Sequence, residues 1–241
     1  MNLESKIQRL AVNEYNSQQS SILPGSAGSF LAAAARANLS HAMHSCWADM
    51  GGCGQTCTEV VSNLNGLLSC ERAPRPAWWV YRLYSFLEGS FVAVRQRESA
   101  GTLDAVASVA LGKDGDDRPP AVRVLVSSFP RVPPLPLPHD PAAERNVSLR
   151  VELAGSALAG GAKFLVETEC VASGASSDMH PKLCAHSACS QPSGAGASEN
   201  NRAVFAPTVR PARTVGASAG GLELAVALAA QEVCLLTAYG S

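Results

Sequence analysis

The feature that most constrains this fold is a change of hydrophobic pattern near residue 90. Before that point, short apolar runs alternate with helix-forming segments. After it come about seven short apolar or alternating runs, separated by glycine, proline and polar turns and with no helix between them. Alternating strands and helices indicate parallel strand pairing, whereas successive strands indicate a β-sandwich or barrel. We therefore predict an α+β protein with two domains, residues 1–90 and 91–241.

The first domain is predicted to run in the order strand, loop, helix, strand, loop and helix. The strands are predicted over 6–16 and 39–49, and an alanine-rich helix over 29–37 lies between them, after a polar loop. This spacing is typical of a βαβ unit with two parallel strands. A second helix is predicted to begin at Pro76 and to end before Gly89, because proline suits the first turn and glycine follows the last.

The second domain is predicted to consist of short strands. They are predicted over 91–94, 103–111, 121–126, 146–153, 163–168, 202–205 and 222–228. Two segments do not fit this pattern. Residues 130–141 are dense in proline and indicate an extended loop, and residues 173–201 are rich in serine, glycine and alanine and indicate a flexible insertion.

Charge and cysteine content limit the classes of partner and compartment. The chain has 19 Lys+Arg and 20 Asp+Glu and no basic run, so we expect no nucleic acid partner and no membrane attachment. No stretch reaches the roughly 18 apolar residues of a membrane helix, and the first six residues do not resemble a secretory signal. Eight cysteines in local groups and sequons at Asn38 and Asn146 slightly favour secretion over the cytosol. The localisation stays open.

Glu14 is the candidate catalytic residue. It stands at the end of the first predicted strand, just before a polar loop. In a (β/α) barrel, residues at the carboxyl end of a strand point into the active site. Asn13 and Tyr15 are candidate substrate-binding residues, and they can supply hydrogen bonds that keep a neighbouring carboxylate ionised. The alternative is that Glu14 is an ordinary surface glutamate after a strand.

Three segments resemble one enzyme family, in the order that the family requires. Residues 12–16, Val-Asn-Glu-Tyr-Asn, resemble the end of the seventh barrel strand of retaining glycoside hydrolases of the large (β/α)8 clan. Family 39, which holds the β-xylosidases and α-L-iduronidases, is the most similar. Residues 75–89 resemble its eighth barrel helix, and residues 222–237 resemble the last hairpin of the β-sandwich that follows the barrel. The resemblance implies a partial (β/α)8 barrel, its last two βα units, followed by an antiparallel β-sandwich.

The same resemblance implies a carbohydrate substrate and a role for each candidate residue. Glu14 matches the nucleophile, and Trp47 matches an aromatic residue under the sugar ring, although core packing is the alternative for a single tryptophan. In the family, the acid/base glutamate lies upstream in an Asn-Glu pair, and only residues 1–13 precede Glu14 here. We therefore expect the chain to be inactive alone, with a missing barrel segment or a second copy as its partner.

Two other classes of function are alternatives to a glycosidase. One is a non-catalytic β-sandwich that binds carbohydrate or protein beside a degenerate barrel remnant. The other is a zinc-stabilised protein, for which the sequence contains two groups of candidate ligands. These are Cys46, Cys53, Cys57 and Cys70, and then His180, Cys184, His186 and Cys189. In the first group only Cys53 and Cys57 have a tolerable ligand spacing, and the second is more simply a chance accumulation in a low-complexity insertion. We therefore expect no metal in either group, and no cofactor motif is present in the sequence.

Overall fold

The protein is a mainly β-stranded chain with two α-helices among its described residues. The computed structural model describes residues 11–15, 23–44, 67, 74, 76–95, 103–110, 120–129, 145–152, 162–172, 206–218 and 221–240. The elements are β1 Ala11–Tyr15, α1 Pro24–Arg36, β2 His41–His44, α2 Pro76–Ser85, β3 Ser90–Val92, β4 Leu103–Ala110, β5 Ala121–Ser128, β6 Arg145–Val151, β7 Lys163–Val171, β8 Thr208–Gly216, β9 Leu222–Leu228 and β10 Val233–Gly240. Neither described helix is long and apolar enough to cross a membrane.

The amino-terminal elements form the predicted βαβ unit. β1 and β2 pair in parallel, and α1 connects them. Within the described ranges this sheet has two strands and no closed barrel is present. The parallel unit is therefore confirmed, and the partial barrel stays a prediction.

The strands after residue 90 form two antiparallel sheets. Six of them are ordered β3-β4-β5-β10-β7-β8, and β6 pairs with β9 as a separate two-stranded sheet. The prediction of successive antiparallel strands in this half is confirmed. The last hairpin, β9 to β10, is divided between the two sheets, because β9 pairs with β6 and β10 lies in the middle of the larger sheet.

One face of the six-stranded sheet packs against the β6–β9 pair through an apolar core. Phe164 and Val166 of β7 and Leu236 of β10 contribute to this core. In β9 the four residues Leu222, Leu224, Val226 and Leu228 face the same core. Glu223 and Ala225, which alternate with them, are exposed. This alternation is what a strand with one buried face requires.

The other face of the six-stranded sheet is covered by α1 and α2. Val80 and Leu83 of α2 are fully buried there, and they pack in one cluster with Leu31 of α1 and with Leu125 and Leu235 of the sheet. The central strands β5 and β10 are therefore buried on both faces, which explains their nearly continuous apolar sequences. The helices before residue 90 share a core with strands after it, and the division into two domains stays a prediction.

Helix α1 begins earlier than predicted. The prediction of a loop through residues 24–28 was wrong, because Pro24 starts the helix and two glycines lie within its first two turns. A Cβ atom on Gly25 would overlap the carbonyl oxygen of Ser128, and one on Gly28 would lie 2.9 Å from Ser127 Oγ. The glycines therefore allow the helix to approach β5 closely, and they do not break it.

Strand β8 is absent from the predicted strands, and its sequence contains Pro211, which cannot donate a hydrogen bond to a neighbouring strand. The structure places β8 at the edge of the larger sheet, where a missing N–H is tolerated. Arg210 pairs with Thr168 and Arg213 with Val166, so Pro211 falls in a bulge between these pairs. The predicted strand over 202–205, the loop over 130–141 and the insertion over 173–201 lie outside the described residues.

Candidate functional site

The candidate site begins at the carboxyl ends of β1 and β2. Because the two strands are parallel, their ends meet at the same edge, where Tyr15 pairs with His44. Between the pair Val12–Ala42 and the pair Tyr15–His44, the register shifts, so β1 contains two residues where β2 contains one. This arrangement is a β-bulge, a feature that often redirects a side chain beside an active site.

The two residues in this bulge are Asn13 and Glu14, both predicted site residues. The backbone places Asn13, Glu14 and Tyr15 consecutively in β1, at its carboxyl end, as the sequence predicted. Trp47 lies outside the described residues, three positions beyond the end of β2. The structure thus brings the three β1 residues to the edge where β2 also ends, and the role of Trp47 stays a prediction.

Helix α1, which connects β1 to β2, is held on the larger sheet by a buried carboxylate. Asp104 of β4 is only 6% exposed. It accepts a hydrogen bond from Ser29 Oγ, and its Oδ1 atom lies 2.8 Å from Arg36 Nη2. A buried carboxylate requires such partners because its desolvation is costly. These contacts fix the position of α1 on the larger sheet, and residues 37–40 join α1 to β2, which pairs with the strand that carries Glu14.

A second contact fixes the amino-terminal end of the same helix. Ser127 Oγ of β5 donates a hydrogen bond of 2.7 Å to the carbonyl oxygen of Gly25. Sequence reasoning missed Asp104 and Ser127 as positioning residues. The available signal was the presence of polar residues inside strands that are otherwise apolar.

A second polar cluster lies on the helix-facing side of the larger sheet. Arg123 of β5 approaches Glu88 at 3.7 Å between Nη2 and Oε2. Burial raises the pKa of the Tyr239 phenol in β10. The negative charge of Glu167 in β7 raises this pKa further, as does the hydrogen bond that the phenol donates to the Glu167 carboxylate. The positive charge of Arg123 lowers it and opposes these effects. This cluster, which the sequence did not reveal, joins three neighbouring strands.

Helix α2 carries the aromatic residues of this region. Trp78 and Trp79 meet edge to face with ring centroids 4.8 Å apart, and the guanidinium of Arg82 lies 5.5 Å from the Trp79 ring centroid. Tyr84 stacks on Phe91 of β3, and burial raises the pKa of the Tyr84 phenol. Because these rings pack beside the helix-facing core, we assign them to structure and not to a substrate site.

Comparison with known proteins supports the fold and gives no family by sequence. No family model matches the sequence, and a search of curated proteins finds no match. Among solved structures, the chain is similar to the GH39 enzyme from Xanthomonas axonopodis pv. citri, at 15% identity and a TM-score of 0.57, over 97% of this chain and 45% of that one. It is also similar to a monomeric β-xylosidase from Caulobacter crescentus CB15, at 13% identity and a TM-score of 0.55, over 96% of this chain and 45% of that one.

A third similar structure is N2152 from Neocallimastix frontalis, at 16% identity and a TM-score of 0.57, over 100% of this chain and 48% of that one. The fold resembles that of GH39 glycoside hydrolases. The resemblance predicted from the sequence is confirmed at this level. At such low identity the likeness concerns the fold, and the chain spans less than half the length of the proteins it matches.

Proposed function

We propose that this chain is the part of a retaining glycoside hydrolase that carries the catalytic nucleophile, Glu14. The observation that carries the proposal is the bulge at Asn13 and Glu14, at the carboxyl end of a parallel strand, within a fold similar to that of a GH39 enzyme. In this proposal residues 1–90 supply two βα units of a (β/α)8 barrel, and residues 91–241 form a β-sandwich domain.

The chemistry assigned to Glu14 is attack on the anomeric carbon of a sugar. In a retaining mechanism the carboxylate forms a covalent glycosyl ester while a second carboxyl group, about 5–5.5 Å away, protonates the leaving oxygen. The second group then activates the water that hydrolyses the ester. Hydrogen bonds from Asn13 and Tyr15 would keep Glu14 ionised, and the face of Trp47 would support the sugar ring.

The second carboxyl group is assigned to a segment outside this chain. In the described residues β1 and β2 pair only with each other, so each has an edge without a strand. An unpaired strand edge is a site for association with another strand. We assign the missing barrel segment, or a second copy of this chain, to these edges, and we expect the chain alone to be inactive on ordinary glycosides.

The nucleophile can be tested apart from the acid/base residue. A 2-deoxy-2-fluoro-xyloside with a dinitrophenyl leaving group needs no protonation, because dinitrophenolate leaves readily. A xylosyl probe is chosen because one similar structure is a β-xylosidase. We expect mass spectrometry to find a fluoroxylosyl adduct on the peptide that contains Glu14, and no adduct in Glu14→Gln.

The matched control is Glu223→Gln, which changes an exposed glutamate in β9 and should label like the unchanged chain. Labelling that persists undiminished in Glu14→Gln would contradict the proposal. So would an absence of labelling both in this chain and in any longer protein that contains it. Binding of xylose measured by calorimetry, without labelling, would instead favour a non-catalytic sugar-binding module.

The proposed lack of an acid/base residue can be tested separately, by measuring the turnover of substrates that need protonation of the leaving group. General acid catalysis contributes about 10²–10⁴ to such rates. We therefore expect the chain to turn over alkyl xylosides at least about 100-fold more slowly than a protein that supplies the second carboxylate. Equal turnover by the chain alone would show that the acid/base residue lies within it.

A further inference from the structure

The strands β7 and β10 are joined by a buried disulfide. Cys170 and Cys234 are direct register partners in these antiparallel strands, and their sulfur atoms form a bond between residues 64 positions apart in sequence. Their exposed fractions are 2% and 0%. Neither of these cysteines belongs to the two groups that the sequence offered as candidate metal sites.

A carboxylate lies directly beside this pair of sulfur atoms. Glu232 stands two residues before Cys234, and one of its oxygens and the two sulfurs all lie within 4.8 Å of one another. Glu232 is itself buried, with 8% of its surface exposed. Among the described residues this is the only group of three or more histidine, cysteine or acidic side chains with such spacing.

The carboxylate of Glu232 is held in a fixed position. Its Oε1 atom accepts a hydrogen bond of 3.1 Å from Arg210 Nη2 of β8, and its Oε2 atom accepts one of 2.8 Å from the backbone N–H of Ala229. Contacts of this kind orient metal ligands in proteins and tune their basicity. The side chain therefore has the support that a ligand needs, although the oxidised pair of cysteines beside it offers no thiolate.

We propose that the reduced form of this site binds a thiophilic divalent cation such as Zn²⁺ or Cd²⁺. Its ligands are the thiolates of Cys170 and Cys234 and the carboxylate of Glu232. Thiolate and carboxylate are both ligands of zinc in proteins. Two thiolates and one carboxylate carry three negative charges, which the divalent ion and the Arg210 guanidinium together neutralise. The loaded site thus has no net charge, as a buried site requires.

The disulfide and the metal exclude each other, so the site is controlled by oxidation state. A dithiol reductant transfers two electrons and two protons, which converts the disulfide to two thiols and the reductant to its own disulfide. The metal ion then displaces the two thiol protons. Cys170 and Cys234 each lie one residue from an end of their strands, so local opening of the strand ends exposes them to the reductant.

The test is a titration of reduced and oxidised protein with Cd²⁺, followed by thiolate-to-cadmium charge-transfer absorption in the ultraviolet. The protein is reduced with a phosphine, which is removed under argon before the titration because a phosphine also binds soft metal ions. Because the chain has eight cysteines, the titration is also made on a variant in which Cys46, Cys53, Cys57, Cys70, Cys184 and Cys189 are alanine. We expect this variant to bind one ion per chain when reduced and none when oxidised.

The variants that separate the ligands are Cys170→Ser, Cys234→Ser and Glu232→Gln, all in the six-alanine background. We expect the serine variants to lose the charge-transfer band and Glu232→Gln to weaken binding at least tenfold. The control is Glu169→Gln, next to Cys170 in β7 and alternating to the other face of the sheet. Its affinity should match that of the parent.

Several results would overturn the inference. One is a reduced parent that keeps its circular dichroism spectrum and binds no Cd²⁺, and another is a band that survives when both cysteines are serine. Equal affinities for Glu232→Gln and Glu169→Gln would remove the carboxylate from the site. If reduction unfolds the protein, Zn²⁺ is expected to refold it, and failure to do so would also contradict the proposal. None of these results depends on glycosidase activity.

Discussion

The two faces of the six-stranded sheet are buried by different means. The face toward β6 and β9 is mainly an apolar core, and the buried carboxylate of Glu232 lies beside its members Cys170 and Cys234. The face toward α1 and α2 combines an apolar cluster with polar contacts, such as those of Asp104 to Ser29 and Arg36. Some polar atoms on this side, including Ser108 Oγ and Arg123 Nη1, have no hydrogen-bond partner among the described residues.

The two faces therefore have different roles: one mainly stabilises the fold, and the other fixes the position of α1. Apolar burial scales with area and has no direction, so many arrangements of similar area would be nearly as stable. Hydrogen bonds and ion pairs need a particular geometry, and leaving one partner buried without the other is costly. We infer that the apolar face supplies most of the stability, whereas the helix-facing side fixes where α1 lies and thus where Glu14 is presented.

Phe164→Ala is expected to cause the largest loss in the free energy of unfolding. Phe164 is fully buried in the apolar core, so its truncation should lower the free energy of unfolding by about 3–5 kcal/mol. Leu165→Ala is the control, because the neighbouring side chain is 43% exposed. Denaturant unfolding measures both. A loss of less than about 1 kcal/mol for Phe164→Ala would show that this core is not the main source of stability.

Asp104→Asn tests the polar contacts that hold α1 on the larger sheet. The amide keeps the shape but removes the charge that pairs with Arg36, so we expect a loss of about 1–3 kcal/mol in the free energy of unfolding. The guanidinium of Arg36 is half exposed and can turn to water, which favours the lower part of this range. Labelling of Glu14 by the fluoroxylosyl probe should fall more than in a core variant of equal stability.

Glu152→Gln is the matched control for this change. It also replaces a carboxylate beside an arginine, but the pair with Arg150 spans 4.0 Å, Arg150 is half exposed and Glu152 is largely exposed. Exposed pairs of this kind contribute little, so we expect a change within about 0.5 kcal/mol. If the two variants lose the same stability, then burial of Asp104 has no special role.

The smallest expected effect is a loss in the free energy of unfolding at alkaline pH, caused by ionisation of Tyr239. Burial and the charge of Glu167 raise the pKa of Tyr239 above its ordinary value of about 10. The unfolded chain therefore loses its phenol proton first, and the free energy of unfolding falls as the pH rises from about 10 through the folded pKa. Urea unfolding between pH 9 and pH 11 should show a shallower fall for Tyr239→Phe. An unchanged slope would contradict this assignment.

The candidate site could be predicted in part. Glu14 was proposed because a carboxylate at the end of a short apolar strand is visible in sequence. The structure places it in β1, and its catalytic role stays a prediction. The bulge at Asn13 and Glu14 could not be predicted, since it depends on the register against β2. Asp104 and Ser127 were missed because their partners in α1 are 68 to 102 residues away in the chain.

The sequence by itself determined most of the order of helices and strands, β8 excepted, and the change near residue 90 from alternating strands and helices to successive strands. Those properties follow from local periodicity and from turn residues, which each segment carries independently of the rest. Tertiary structure alone decided that Gly25 and Gly28 lie inside a helix, that Pro211 lies in an edge strand, and that Cys170 bonds to Cys234. Each of these outcomes depends on which distant segment packs alongside, and local sequence does not contain that information.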